Sequence, residues 1–264
     1  MDTKTKTVAR LSLGDPSYPY LLSQIPQPPN SLYTRGELIY RLNEEGRFTM
    51  AMVGARRCSN YGRDVARKLA EQLSRQGITI VSGLAEGIDA AAHWGALEGT
   101  GKTIAVLGCG LDVVYPAWNR KLYERIAEEG SVVTEFPLGT QPLATNFPVR
   151  NRIISGLSRG VVVVEGSEKS GSLHTADFAL TQGREVFAVP GSINSSLSRT
   201  PHKLLKSGAR LVENVSDILE EFGLEENKQE RQFSLFDKSP RDLLEQLPPG
   251  EKGILSLIGH EPLE

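Results

Sequence analysis

Residues 49–63, TMAMVGARRCSNYGR, set the architecture of this chain. Met50, Ala51, Met52 and Val53 form a short apolar run that reads as a buried strand, and Gly54 ends it. A polar, basic turn follows, carrying Arg56, Arg57, Ser59 and Asn60. From Tyr61 the apolar period lengthens to that of a helix, with Val65, Ala66, Leu69, Ala70 and Leu73 on one face. Strand, glycine turn and helix form the unit of open α/β sheets, which bind ligands beyond the carboxyl ends of their strands. Free N–H groups and the positive helix end favour an anion at that place, and two arginines make a phosphate the natural guest. A surface turn with solvated arginines is the competing reading.

Outward from this unit the same rhythm repeats. Strands are predicted at 49–53, 78–82, 103–107, 131–134, 160–164, 185–189 and 210–212, with helices near 61–76, 87–98, 119–129, 149–158, 171–182, 201–207 and 215–222. Runs such as GVVVV (160–164) show no polar alternation, as a sheet covered on both faces requires. The alternation of strand and helix predicts an α/β fold with a doubly wound, mostly parallel sheet over residues 48–223. Residues 1–47 hold many prolines and read as an extended segment draped over a neighbour. Residues 224–245 are polar and aperiodic, the pattern of a linker. Residues 246–264 hold one apolar helical turn, too short to bury its own side chains, and read as the start of an incomplete domain.

Composition narrows the function classes. With 30 basic and 32 acidic residues in 264, the net charge is −2, so nucleic-acid binding needs a local basic patch. The two cysteines, Cys58 and Cys109, match no metal-ligand spacing and read as free thiols of a reducing compartment. The start, MDTKTKTVARLSLGD, lacks the apolar centre of a signal peptide, and no run reaches membrane-spanning length. A cytoplasmic protein with no membrane partner is expected.

Four loops fall at strand ends. Besides GARRCSNYGR there is SGLAEGIDAAAH (82–93), whose glycines permit close backbone approach to a phosphate. Turn chemistry and helix packing explain the same glycines; His93 reads as a packed histidine and Asp89 as a charge on the first helical turn. The third loop, NFPVRNRIISGLS (146–158), sets Phe147 beside Arg150, Asn151 and Arg152. Phe147 precedes a proline and is expected in an extended turn. It either stacks on a base, between side chains that clamp phosphates, or plugs the sheet. The fourth, EGSEKSGSLHTADFAL (165–180), carries Lys169 and then Ser170-Gly171-Ser172 at a helix start. Two decoys fail: GTGKT (99–103) lacks the first glycine of a phosphate loop and leads into a strand, and Gly108-Cys109-Gly110 lacks the third glycine of a dinucleotide fingerprint.

These loops, in this order, resemble the DNA processing protein A family (DprA, also called Smf). The matching stretches are VGARRCSNYGRDVA, VSGLAEGIDAAAHWGALEGTGKTIAVLGCGLDVVYP, FPVRNRIISGLS, SGSLHTADFALTQGREVFAVPGSI and HKLLKSGARLVENVSDIL, together covering about 50–220. The resemblance implies an extended Rossmann-like domain that binds single-stranded DNA, forms homodimers, protects incoming DNA and loads the RecA recombinase during natural transformation. It implies DNA contacts from Gly54, Arg56, Ser82, Gly83, Phe147, Arg150, Asn151, Lys169 and Ser170, and no catalytic residue, metal or cofactor. Glu86 stands where that family usually has arginine, and Thr200 where it often has glycine. The N-terminal helical domain of many relatives is expected to be missing, and their winged-helix domain to be present only as a stub. The alternative from another class is a nucleotide phosphoribohydrolase of the lysine decarboxylase-like family. That enzyme needs a PGGxGTxxE loop, and the corresponding SGSLHTADF has no glutamate after its glycine.

Overall fold

The computed structural model describes residues 8–99 and 102–225. In chain order the strands are β1 (Ala9–Ser12), β2 (Ser31–Gly36), β3 (Thr49–Val53), β4 (Thr79–Ser82), β5 (Thr103–Val106), β6 (Ser131–Thr134), β7 (Gly160–Val163), β8 (Glu185–Ala188) and β9 (Arg210–Leu211). The helices are α1 (Tyr20–Ser23), α2 (Asn60–Arg75), α3 (Ile88–Glu98), α4 (Arg120–Glu129), α5 (Asn146–Gly156), α6 (Gly171–Thr181), α7 (Arg199–Lys206) and α8 (Ser216–Glu221).

Among the described residues nine strands join one sheet in the order β1-β2-β6-β5-β4-β3-β7-β8-β9. From β3 the chain steps outward through β4, β5 and β6, then returns to the other side of β3 as β7. All pairings from β6 through β9 are parallel. The reversal between β3 and β7 opens a crevice at their carboxyl ends, the place where such sheets bind ligands. Alternation along each strand sorts the core into two faces. Ala51 and Val53 pack with Ile153 and Ile154 of α5 and Ala176 and Ala179 of α6. Met50 and Met52 pack instead with Ala66, Leu69, Ala70 and Leu73 of α2 and with Ile88, Ala92 and Ala96 of α3. The helices on both faces explain why β3 is buried at every residue.

Two expectations change. The proline-rich prelude supplies sheet: β2 pairs antiparallel with β6, and β1 with β2. Leu11, Leu22, Ile25 and Leu32 from this stretch lie in the core. Its prolines, from Pro16 to Pro29, fall between the strands, where they remove no ladder hydrogen bond. Helix α5 starts at Asn146, so Phe147 lies in its first turn and not in an extended turn. Pro148 is tolerated there because the first-turn N–H groups have no partner within a helix. The linker and C-terminal stub expected beyond residue 223 lie outside the described residues, apart from Leu224 and Glu225.

His93 is a packed histidine. It is fully buried, with Nδ1 2.7 Å from Thr103 Oγ1, whose own proton goes to Ile80 O. Nδ1 therefore carries the hydrogen, and burial pushes the ring's pKa down to about 3. No helix among the described residues is long and apolar enough to cross a membrane.

Candidate nucleic-acid interface

The loops after β3, β4 and β7 and the start of α5 meet around a groove of about 570 Å³. Gly54, Arg56, Phe147, Arg150, Asn151 and Ser170 line it, and Gly83 lines an adjoining recess. Two of the expected contacts stand apart. Ser82 is fully buried and donates its hydroxyl to Met52 O at 2.7 Å. Lys169 is exposed on the loop before α6 and does not line the groove.

The positive end of α2, read from sequence as the anion site, is filled from within. Ser59 caps the helix, its Oγ accepting from Gly62 N at 3.0 Å. Glu165, at the end of β7 and 5% exposed, accepts from Ser59 N at 2.8 Å and from Ser59 Oγ at 2.5 Å. A β-carbon on Gly62 would collide with the Glu165 carboxylate, so glycine is required there. An internal carboxylate thus takes the place proposed for phosphate. The start of α6 faces the groove instead, through Ser170, Gly171 and Ser172. Ser170 caps it, accepting from Ser172 N at 3.3 Å.

Arg150 is 4% exposed and acts as a strut beneath the loops. Its Nη1 donates to Gly83 O at 2.8 Å and to Val106 O, tying together the ends of β4 and β5. Nε donates to Asn151 Oδ1 at 3.1 Å, and Asn151 Nδ2 donates to Gly171 O at 3.3 Å, linking α5 to α6. Burial pushes the Arg150 pKa down to about 10 against the opposing charge of Asp89, so the guanidinium stays protonated at neutral pH. Asp89, from the first turn of α3, accepts from Gly83 N at 3.1 Å; burial raises its pKa while Arg150 pulls it down. A β-carbon on Gly83 would lie 2.6 Å from Arg150 Nη2 and 2.7 Å from Asp89 Oδ2. The glycine is what lets the two charges approach the backbone. Arg152, expected beside Arg150 as a second clamp, is paired with Glu135 at 2.7 Å, with both side chains largely buried.

Arg56 and Arg57 are exposed cations lining the groove, and Arg56 is the one stacked on a ring. Its guanidinium carbon lies 4.9 Å from the centre of the Phe147 ring. The ring itself is half-buried and belongs to none of the hydrophobic core clusters. It rests on Gly108, where a β-carbon would come within 2.9 Å of Cδ1. Phe147 therefore sits at the groove wall, between the two positions open to it in the sequence reading. The Arg56 loop is held by backbone: Ile88 N donates to Ala55 O at 3.2 Å. Gly87, at φ +76°, lies so close to the carbonyls of Ala55 and Arg56 that a side chain there would displace them.

Sequence reasoning missed the aromatics after β5. Tyr115, 41% exposed, packs against Phe147 at 5.5 Å between ring centres, and Trp118 is 68% exposed beside it. Their signal was available: VVYPAW (113–118) places two rings in a loop at a strand end. Glu165 was also legible as an acidic residue directly after an all-valine strand. Among the described residues no group of three or more His, Cys, Asp or Glu side chains is placed to hold a metal.

Comparison with known proteins places this geometry. Residues 9–223 match the family described as DNA recombination-mediator protein A. Protein Smf of Escherichia coli is 50% identical over 210 residues, 78% of this chain and 55% of that protein. The X-ray structure of DNA processing protein A from Streptococcus pneumoniae superposes with a TM-score of 0.77 at 44% identity, over 83% of this chain and 75% of that one. The structure of DNA processing protein A from Helicobacter pylori, described for its single-stranded DNA binding mode, gives a TM-score of 0.72 at 28% identity. That match covers 82% of this chain and 95% of the other. The chain spans about half the length of the Smf proteins of Synechocystis and Escherichia coli that it matches.

Proposed function

This chain belongs to the DNA recombination-mediator protein A family, and on that premise we propose that its groove binds single-stranded DNA. The observation that carries the reading is the exposed Arg56 guanidinium stacked on Phe147 within the groove. A cation over an aromatic ring offers a strand both a phosphate partner and a flat face for an unstacked base. Duplex DNA hides its base faces, so the pair favours single strands. The Helicobacter pylori relative, described for binding single-stranded DNA, supports the same reading.

Arg56→Ala is expected to weaken binding of a thymidine oligonucleotide by roughly 1–3 kcal/mol, as for loss of a charge-assisted contact. The slope of log affinity against log salt should become shallower by about 1, with the melting temperature unchanged. Fluorescence anisotropy across a salt series measures both quantities. Unchanged affinity in a folded variant removes Arg56 from the interface.

In this reading the protein acts without catalysis, in the cytoplasm, protecting the strand and handing it to RecA. It works as a homodimer, which gives one strand two grooves and so raises avidity. Family resemblance supports these steps, and the two free cysteines, Cys58 and Cys109, suit a reducing compartment. Sedimentation that finds only monomer in the micromolar range would count against the dimer. RecA filaments that form no faster on strands carrying the protein would count against loading.

A further inference from the structure

Beside the groove, the loops after β4 and β5 frame a recess of about 50 Å³ with Arg56, Glu86, Tyr115, Trp118 and Phe147 in its walls. Its chemistry differs from that of the groove. Glu86 is exposed and carries no hydrogen bond or ion pair among the described residues. Arg56 lines the same recess, yet it stacks on Phe147 and does not pair with Glu86. A phosphate seated beside Glu86 meets an unpaired carboxylate, and the Arg150 guanidinium in the same wall is already held by Gly83 O and Val106 O, so this end suits the DNA backbone less than the groove does. The edge of a base meets no such repulsion. An exocyclic amino group on that edge satisfies the carboxylate, while the base's carbonyl and ring-nitrogen acceptors suit the donors of Arg56. Tyr115 and Trp118 add exposed flat faces for the ring, which itself stays outside so small a recess.

We propose that the recess takes the edge of one nucleobase of the bound strand, with Glu86 accepting from an exocyclic amino group, so that amino-bearing bases are preferred to thymine. The proposal rests on the single-stranded DNA reading above. Cytosine and thymine separate the amino group from the stacking, because both are pyrimidines and only cytosine presents an exocyclic N4–H₂, whereas thymine's N3–H lies between two carbonyls that repel a carboxylate.

The test compares oligo-dC with oligo-dT of equal length by fluorescence anisotropy, on the full chain and on Glu86→Ala, with circular dichroism to confirm folding of this surface variant. The unaltered protein should bind oligo-dC about three- to tenfold more tightly, the range for one net hydrogen bond. Glu86→Ala should bring the ratio to about one and tighten oligo-dT, since a negative charge leaves the site. Equal affinities in the unaltered protein, or a preference that survives Glu86→Ala, overturn the proposal and leave the strand-binding reading standing. If neither oligonucleotide binds, the strand-binding reading falls and this proposal falls with it.

Discussion

Arg150→Met is expected to cost the protein about 3–5 kcal/mol of stability, the usual loss when one member of a buried charge set is removed. Methionine fills much of the space but leaves Gly83 O and Val106 O without their donor. It also leaves Asp89 buried beside no positive charge, although Gly83 N still donates to it. The loss should depend on pH in a definite direction. Burial already raises the Asp89 pKa and Arg150 restrains it, so removing Arg150 raises it further. A carboxyl whose folded pKa exceeds its unfolded value of about 3.9 adds stability below that value and loses it as pH rises through the folded pKa. The deficit of Arg150→Met against the unaltered protein should therefore be largest at neutral pH and shrink on acidification.

Adding Asp89→Asn should recover part of the neutral-pH loss, because the amide oxygen still accepts from Gly83 N and no charge remains. Urea unfolding of the single and double variants at neutral and mildly acidic pH measures this. A loss below about 1 kcal/mol would remove the strut role, being within the range of ordinary surface changes. A deficit that ignores pH would show that Asp89 is not the coupled group. A stable variant that no longer binds DNA would make Arg150 a contact instead of a support.

Phe147→Ala should lower affinity for single-stranded DNA by about tenfold or more, given roughly 1–3 kcal/mol per stacked base. The ring also holds the Arg56 guanidinium at 4.9 Å, so its loss releases the cation as well. Two consequences distinguish this pair from two independent contacts. The salt slope should fall in Phe147→Ala even though no charge is removed. The double variant with Arg56→Ala should lose less than the sum of the single losses, by about 0.5 kcal/mol or more. Because the ring is half-buried and outside the core clusters, stability should fall by less than the roughly 3–5 kcal/mol of a core phenylalanine. Additive losses would separate the two residues. A strongly destabilised variant with normal binding would take Phe147 out of the interface and make it a plug.

The parts of this protein legible in its sequence are those written in near neighbours along the chain. The valine runs, the helical spacing of Ala66, Leu69, Ala70 and Leu73, and the glycines at strand ends each express a local period, and a period survives whatever lies across the sheet. The seven parallel strands and the convergence of the strand-end loops followed from that rhythm. The antiparallel pair at the edge did not, because prolines in the connections masked short strands whose partner, β6, lies about a hundred residues on.

Charge satisfaction was decided only by the tertiary structure. The start of α2 looked ready for phosphate until β7, placed beside β3, brought Glu165 onto Ser59 from 106 residues away. Arg150 looked like a clamp until the ends of β4 and β5 supplied carbonyls to its guanidinium. Arg56 carries the same side chain and lies on the same rim, yet among the described residues no carbonyl or carboxylate holds it, and its ring partner leaves it facing solvent. An arginine's identity is local, but whether its charge is consumed or offered depends on the polar atoms that the fold packs around it.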